Sequence, residues 1–215
     1  MTTASLARIR LNPHSRAVQR DLRDATQLHK TLMRLVPDNL GKTPRQDAGL
    51  LYRLDEDQHA SILLVQGTSL LTPDRLPSHY GQIEVKDLAA MFTALRKDLA
   101  VRYRIVVNPS KRERLPQEGK KQLGKVIPLS GADAEQWWAR RADGSGLHLH
   151  TVQGTSLRAA RAHSSTSAMR HNLVRYEGTA TITDPQALTT ALLDGIGRGK
   201  SYGAGLLTLA PAATP

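Results

Sequence analysis

The chain has 215 residues, of which 40% are hydrophobic and none is cysteine, and its 30 lysines and arginines outnumber 19 aspartates and glutamates for a formal net charge of +11. That composition excludes wholesale disorder, a disulfide scaffold and cysteine-ligated zinc, while no apolar run reaches the roughly 20 residues of a membrane-spanning helix and residues 1–10 carry no secretion signal. What is left is a soluble, cytoplasmic protein of one large or two small domains, without a membrane partner, whose charge suits a polyanion and nucleic acid first.

Residues 4–11 alternate in part, with Leu6, Ile9 and Leu11 against Arg8 and Arg10, which predicts a first strand ended by Pro13. A helical stretch follows over residues 15–36. If unbroken, it puts His29 on the apolar face with Val18, Leu22 and Leu32. If Asp24 breaks it and caps a second helix, His29 sits at the edge of the apolar stripe made by Leu28, Leu32, Leu35 and Val36. Strands are predicted at 50–54, 61–66 and 82–85, with a short turn-rich piece at 73–81. That order is the split βαβ of a ferredoxin-like fold. Residues 86–98 read as a helical connector.

The pattern restarts with a strand at 100–107, which ends in Asn108-Pro109 as the first ended in Asn12-Pro13. A loop rich in lysine and arginine spans 110–125. A helix predicted at 134–141 carries Trp137 and Trp138, with Asp133 and Gln136 placed as a capping box. Strands follow at 147–152 and 173–183, and Asp184-Pro185 marks the start of a helix that runs to Asp194. A glycine-rich loop leads into a last strand at 206–209. The predicted fold is α+β, two tandem ferredoxin-like (RRM-like) βαββαβ domains at 1–88 and 99–215 joined by a connector at 89–98. Residues 1–98 hold 14 basic and 11 acidic side chains, whereas residues 99–215 hold 16 and 8, so the second half is the expected electrostatic footprint.

Among candidate chemical features, the loop from Gly195 to Gly205 has five glycines in eleven residues, with Arg198 and Lys200 between them. Such a loop lets backbone amides approach a phosphate. It is no Walker A motif, because Asp194 stands where the first glycine belongs and the loop runs from helix into strand. His148 and His150 share one side of a predicted strand, as two metal ligands would, but no carboxylate motif completes a site. The segment from Arg158 and Arg161 to Arg170 reads as a basic hairpin able to reach a nucleic-acid groove, or as a solvated loop. Exposed aromatics for base stacking are scarce, which favours recognition by duplex shape and charge. His29 on its residue pattern alone is either structural or functional.

Four segments, in this order over nearly the whole chain, carry a resemblance: Leu11-Asn12-Pro13-His14-Ser15-Arg16, Leu28-His29-Lys30-Thr31-Leu32, Val107-Asn108-Pro109-Ser110-Lys111-Arg112, and the glycine loop running into Leu206-Leu207-Thr208-Leu209-Ala210-Pro211. Together they resemble the CasE-type CRISPR RNA endoribonuclease of type I-E Cascade. The resemblance implies a metal-independent nuclease without cofactor that cuts CRISPR repeat RNA at the 3′ base of a stem-loop, retains the mature crRNA hairpin and joins other Cascade subunits. His29 matches the family's catalytic histidine. Thr26 stands where the family often has tyrosine; its hydroxyl cannot act as a phenolic acid or base, though it can hydrogen-bond to phosphate. RNA contacts carry over to Arg158, Arg161 and Arg170 of the hairpin and to Gly197, Arg198, Gly199 and Lys200, and Lys111-Arg112 matches a family motif. Lys30 and Lys200 are cations able to stabilise the reacting phosphate. The implied chemistry is attack by the 2′-hydroxyl, leaving a 2′,3′-cyclic phosphate and a 5′-hydroxyl, with His29 as acid or base. A non-catalytic RNA-binding subunit of the same fold is the alternative.

Overall fold

In the computed structural model the residues described are 4–57, 59–68, 71–113, 124–157, 160–164 and 167–212, with only the backbone described within 160–171. The first strand, β1 (Ser5–Leu11), buries Ala7, Ile9 and Leu11 and leaves Arg8 and Arg10 exposed, as its alternation requires. The chain then enters α1 (Arg16–Arg23) and α2 (Ala25–Leu32), separated at Asp24, whose backbone is extended and whose carboxylate accepts from the Thr26 N–H at 2.8 Å. The stretch is therefore broken, and His29 lies half-buried at the edge of the stripe. A short 3-10 turn, Met33–Leu35, and the one-turn α3 (Pro44–Asp47) lead to β2 (Leu51–Glu56), β3 (Ser61–Gly67) and β4 (Gly81–Asp87). Strand order is β2-β3-β1-β4, all antiparallel, with Ile9 opposite both Leu63 and Ile83. Val18, Leu28, Leu32 and Leu35 cover this sheet and form one core with Ile9, Leu63 and Val65. Among the described residues, a 3-10 turn, Pro73–Arg75, stands in the place of a second crossover helix.

After α4 (Ala89–Ala94), whose Phe92 is buried in the second core, β5 (Ala100–Val107) opens the second sheet. The short β6 (Ser110–Arg112) and β7 (Val126–Pro128) pair as a ribbon within the basic loop, a feature without an alternation signal. Next come α5 (Gly131–Asp143), β8 (Leu147–Leu149), β9 (Gln153–Ser156), β10 (Ala160–Ser164), β11 (Ser167–His171), β12 (Val174–Ile182), α6 (Pro185–Asp194) and β13 (Leu207–Pro211). Strand order is β13-β5-β12-β8, with β9 also on β12, and every pairing is antiparallel. In both sheets the first and third strands of the βαββαβ unit are central, so the tandem ferredoxin-like fold holds. Trp138, Leu188 and Leu192 from the helices close over Ile105, Ala180 and Ile182.

Two local expectations are corrected. The helix predicted from 134 starts at Gly131 with Ser130 as its N-cap and no side-chain cap bond, so the Asp133–Gln136 capping box does not form. Asp133 lies instead within the first turn, where its charge complements the helix dipole. The single strand expected at 147–152 is two, because the His150 and Thr151 N–H groups both reach the Thr179 carbonyl, at 2.9 and 3.3 Å, in a bulge. The cap at Asp184 is as read, accepting from the Gln186 and Ala187 N–H groups at 2.9 and 3.0 Å.

Strands β2 and β3 dock the first sheet onto the second half through side chains that reach backbone carbonyls. Arg53, buried, donates to the Arg104 carbonyl at 2.9 Å and to Thr208 Oγ1 at 2.8 Å, while Asp55 neutralises it at 2.9 Å. Gln66 donates to the Leu192 carbonyl at 2.7 Å and Tyr52 to the Ser201 carbonyl at 2.8 Å. Among the described residues no helix is long and apolar enough to cross a membrane.

Candidate active site and nucleic-acid interface

Leu28 and Leu32 anchor α2 in the first core, which fixes the direction of the His29 side chain one residue further round. Its Nδ1 is buried and has no hydrogen-bond partner among the described residues. Nε2 is therefore the nitrogen left for a substrate. Alongside α2 run β10 and the 3-10 turn Lys200–Tyr202 of the glycine loop. Burial lowers the His29 pKa below its ordinary value, and the Arg45 guanidinium lowers it further. Lys200 is lowered by burial and by the same Arg45, with Asp194 opposing. An imidazole held below 6.5 is neutral at pH 7 and free to accept a proton.

Arg45 is the residue that sequence reasoning missed. It sits on α3, half-buried, and donates to the Leu50 carbonyl at 3.2 Å. No motif marks it, and only the packing of the two halves makes it a neighbour of both His29 and Lys200. Thr26 lies three residues before His29 on the same helix, so the two share a face. Its N–H is spent on Asp24, and the side chain is half-buried. Lys30 is exposed on α2.

All five loop glycines, Gly195, Gly197, Gly199, Gly203 and Gly205, have positive φ. At Gly199, φ is 84°, a value that L side chains adopt at a cost, and it starts the turn that presents Lys200. The loop is closed at its base by Ile196 N–H to the Gly205 carbonyl, 3.0 Å, and Gly205 N–H to the Val106 carbonyl, 2.7 Å. The structure thus gathers His29, Arg45 and Lys200 around one locus, with Gly199 shaping the turn. Lys111, Arg112 and Arg198, all exposed, line another pocket. In the β10–β11 ribbon, Arg161 and Arg170 are register partners, and β10 lies alongside α2. Arg158 lies outside the described residues. The rings of His148 and His150 are 5.3 Å apart, but His150 Nε2 is engaged by Thr181 Oγ1 at 2.7 Å. Among the described residues no three His, Asp or Glu side chains gather as metal ligands.

A family described as CRISPR associated protein matches residues 6–211. The chain belongs to that family. This CRISPR-associated protein is 29% identical over 218 residues to the CRISPR-associated endoribonuclease Cse3 of Thermus thermophilus, covering 96% of this chain and 99% of that one. It is also similar to a solved structure of CRISPR endoribonuclease Cse3 bound to a 19-nucleotide RNA, with a TM-score of 0.80 at 27% identity over 98% of this chain and 100% of the other. A chain of a CRISPR RNA-guided surveillance complex in a pre-nicking state matches at 37% identity and a TM-score of 0.67, over 96% and 100% of the two chains. These matches span both ferredoxin-like halves, and the CasE-type resemblance carried by the four motifs stands.

Proposed function

We propose that this CRISPR-associated protein is an endoribonuclease that processes CRISPR RNA, cutting the repeat at the 3′ base of its stem-loop, and that it keeps the product hairpin as a subunit of Cascade. The relatives support the RNA-cleaving class by name and by bound RNA, and the surveillance-complex relative supports assembly with other Cascade subunits. The observation that carries the catalytic assignment is the half-buried His29, its Nδ1 turned inward, close enough to Arg45 to feel its charge and on a helix that runs alongside the turn carrying Lys200.

Neutral His29 takes the 2′-hydroxyl proton through Nε2 as the 2′-oxygen attacks the adjacent phosphorus. The P–O5′ bond breaks, leaving a 2′,3′-cyclic phosphate, and the departing 5′-oxygen takes a proton from Lys200 or from water. Holding nucleophile and phosphorus in line supplies much of the rate. Arg45, Lys200 and the loop amides stabilise the phosphorane's charge. Two fixed cations fill the role a metal ion takes elsewhere, so cutting is expected in EDTA. Arg161 and Arg170 on the ribbon, with Arg158 before it, hold the stem through its phosphates, and Thr26 contributes a hydrogen bond to phosphate.

The test is single-turnover cleavage of the host's repeat stem-loop in EDTA, comparing wild type with His29→Ala and with RNA carrying a 2′-deoxy nucleotide at the mapped cut. Cleavage that needs both His29 and the 2′-hydroxyl supports the reading. Thr26 in the tyrosine position favours one other, a non-catalytic hairpin-binding subunit, which tight binding without any cutting would establish.

A further inference from the structure

Five cations surround a shallow pocket of about 480 Å³ in the second half: Lys111 and Arg112 from β6, Arg140 and Arg141 from the last turn of α5, and Arg198 from the glycine loop, around Trp137. All five are exposed, and among the described residues none forms a salt bridge. A larger cleft of about 550 Å³ over the open face of the same sheet also holds arginines, but there two of the three, Arg53 and Arg104, are paired with carboxylates and, among the described residues, only Arg102 is not. Arg53 pairs with Asp55 at 2.9 Å and Arg104 with Glu177 at 2.7 Å. Unpaired like charges around one concavity repel one another, and a polyanion relieves that repulsion. The small pocket is the one that asks for a ligand.

Its walls are also held in place. The Arg141 guanidinium carbon stands 5.5 Å from the Trp137 ring centroid, a cation–π contact that orients the side chain. Trp137 is only 6% exposed, so its ring is no platform for a stacked base. The glycine loop closes on that ring at Gly197, where an added Cβ would come within 3.0 Å of Trp137 Cη2. This contact fixes the next residue, Arg198, at the pocket rim. Arg198 is two residues from Lys200, so the pocket continues the candidate active site along the same loop.

We propose that this pocket is a second phosphate-binding groove for the RNA, taking the backbone next to the cut, with Arg140 and Arg141 of α5 as its defining contacts. It reads charge and not bases. The identity of the polyanion rests on the RNA-processing reading above; the groove itself rests on five clustered cations that form no salt bridge among the described residues.

The experiment is an anisotropy titration of the full chain with a repeat stem-loop that includes its flanking nucleotides and is 2′-deoxy at the cut, for wild type, Arg140→Gln/Arg141→Gln and Arg140→Lys/Arg141→Lys, across a salt series. The glutamine pair is expected to weaken binding roughly tenfold near physiological salt and to reduce the slope of log K against log salt by about 2. The lysine pair keeps the wild-type slope. A scrambled stem with the same flanks loses as much affinity as the repeat does. Wild-type affinity and slope in the glutamine pair would overturn the groove. So would intact RNA binding combined with lost assembly with the other Cascade subunits, which would make this face a protein contact. Because the RNA is uncleavable, failure of the nuclease reading shows up separately, in the His29 assay.

Discussion

The Tyr52 hydroxyl donates a hydrogen bond to the Ser201 carbonyl at 2.8 Å, tying the turn that presents Lys200 to a strand of the opposite half. Burial raises the Tyr52 pKa far above the ordinary phenol range, so the group is a donor at every working pH. The proposed catalytic locus draws on both halves, with His29 and Arg45 from the first and Lys200 from the second. Its geometry therefore depends on how well this turn is anchored.

Tyr52→Phe keeps the ring and removes only that bond. Stability is expected to fall by about 1 kcal/mol, and single-turnover cleavage by about tenfold, because small displacements of a positioned group are costly. Thermal melting and cleavage of saturating RNA measure the two effects. Unaltered cleavage would show that the turn's position does not matter to the chemistry.

The pH profile follows from the His29 environment. Burial and then Arg45 lower its pKa, and a base must be deprotonated to work, so protonation on the acid side removes activity. The subsaturating rate, which reports the free enzyme, should rise with pH to a plateau, with a midpoint below the ordinary 6.5. Removing the guanidinium in Arg45→Gln raises that midpoint and leaves it below 6.5, since burial is the larger cause. A midpoint that Arg45→Gln does not move would place the arginine away from the imidazole.

Arg53 offers a test of how the halves are docked. It is 2% exposed and donates to two backbone carbonyls, Thr208 Oγ1 and Asp55. Arg53→Met fills similar volume but strands those acceptors, at an expected cost on the order of 3 kcal/mol. Urea denaturation gives the number. A loss under 1 kcal/mol would mean that water or Arg104, already 3.8 Å from Asp55, replaces the lost donors.

The repeat of the ferredoxin-like unit was legible because its signals are local. Partial period-two alternation gives β1 and a β-prone run gives β5, and Asn-Pro and Asp-Pro pairs mark where strands end and helices begin. Asp24 was readable as a cap, and that break is what moves His29 to the edge of the core. Arg45 was not legible, since it meets His29 and Lys200 only after two distant segments pack together. Arg140 and Arg141 look in sequence like the solvated last turn of a helix. Their meaning comes from what stands opposite, a three-residue strand inside a charged loop that has no alternation to announce it.

Gly199 separates backbone conformation from packing in the loop. An added Cβ there meets nothing nearer than 3.6 Å, so a substitution pays for its φ of 84° and little else. Gly199→Ala is expected to cost about 1–2 kcal/mol locally and to slow cleavage by shifting Lys200. Gly199→Asn costs less, because asparagine tolerates the left-handed region, and Gly199→Val costs most, because a β-branched side chain does not. Cleavage rates should fall in the order Gly, Asn, Ala, Val. Equal rates for all four would mean that the left-handed turn is dispensable and that Lys200 reaches the phosphate by its own flexibility.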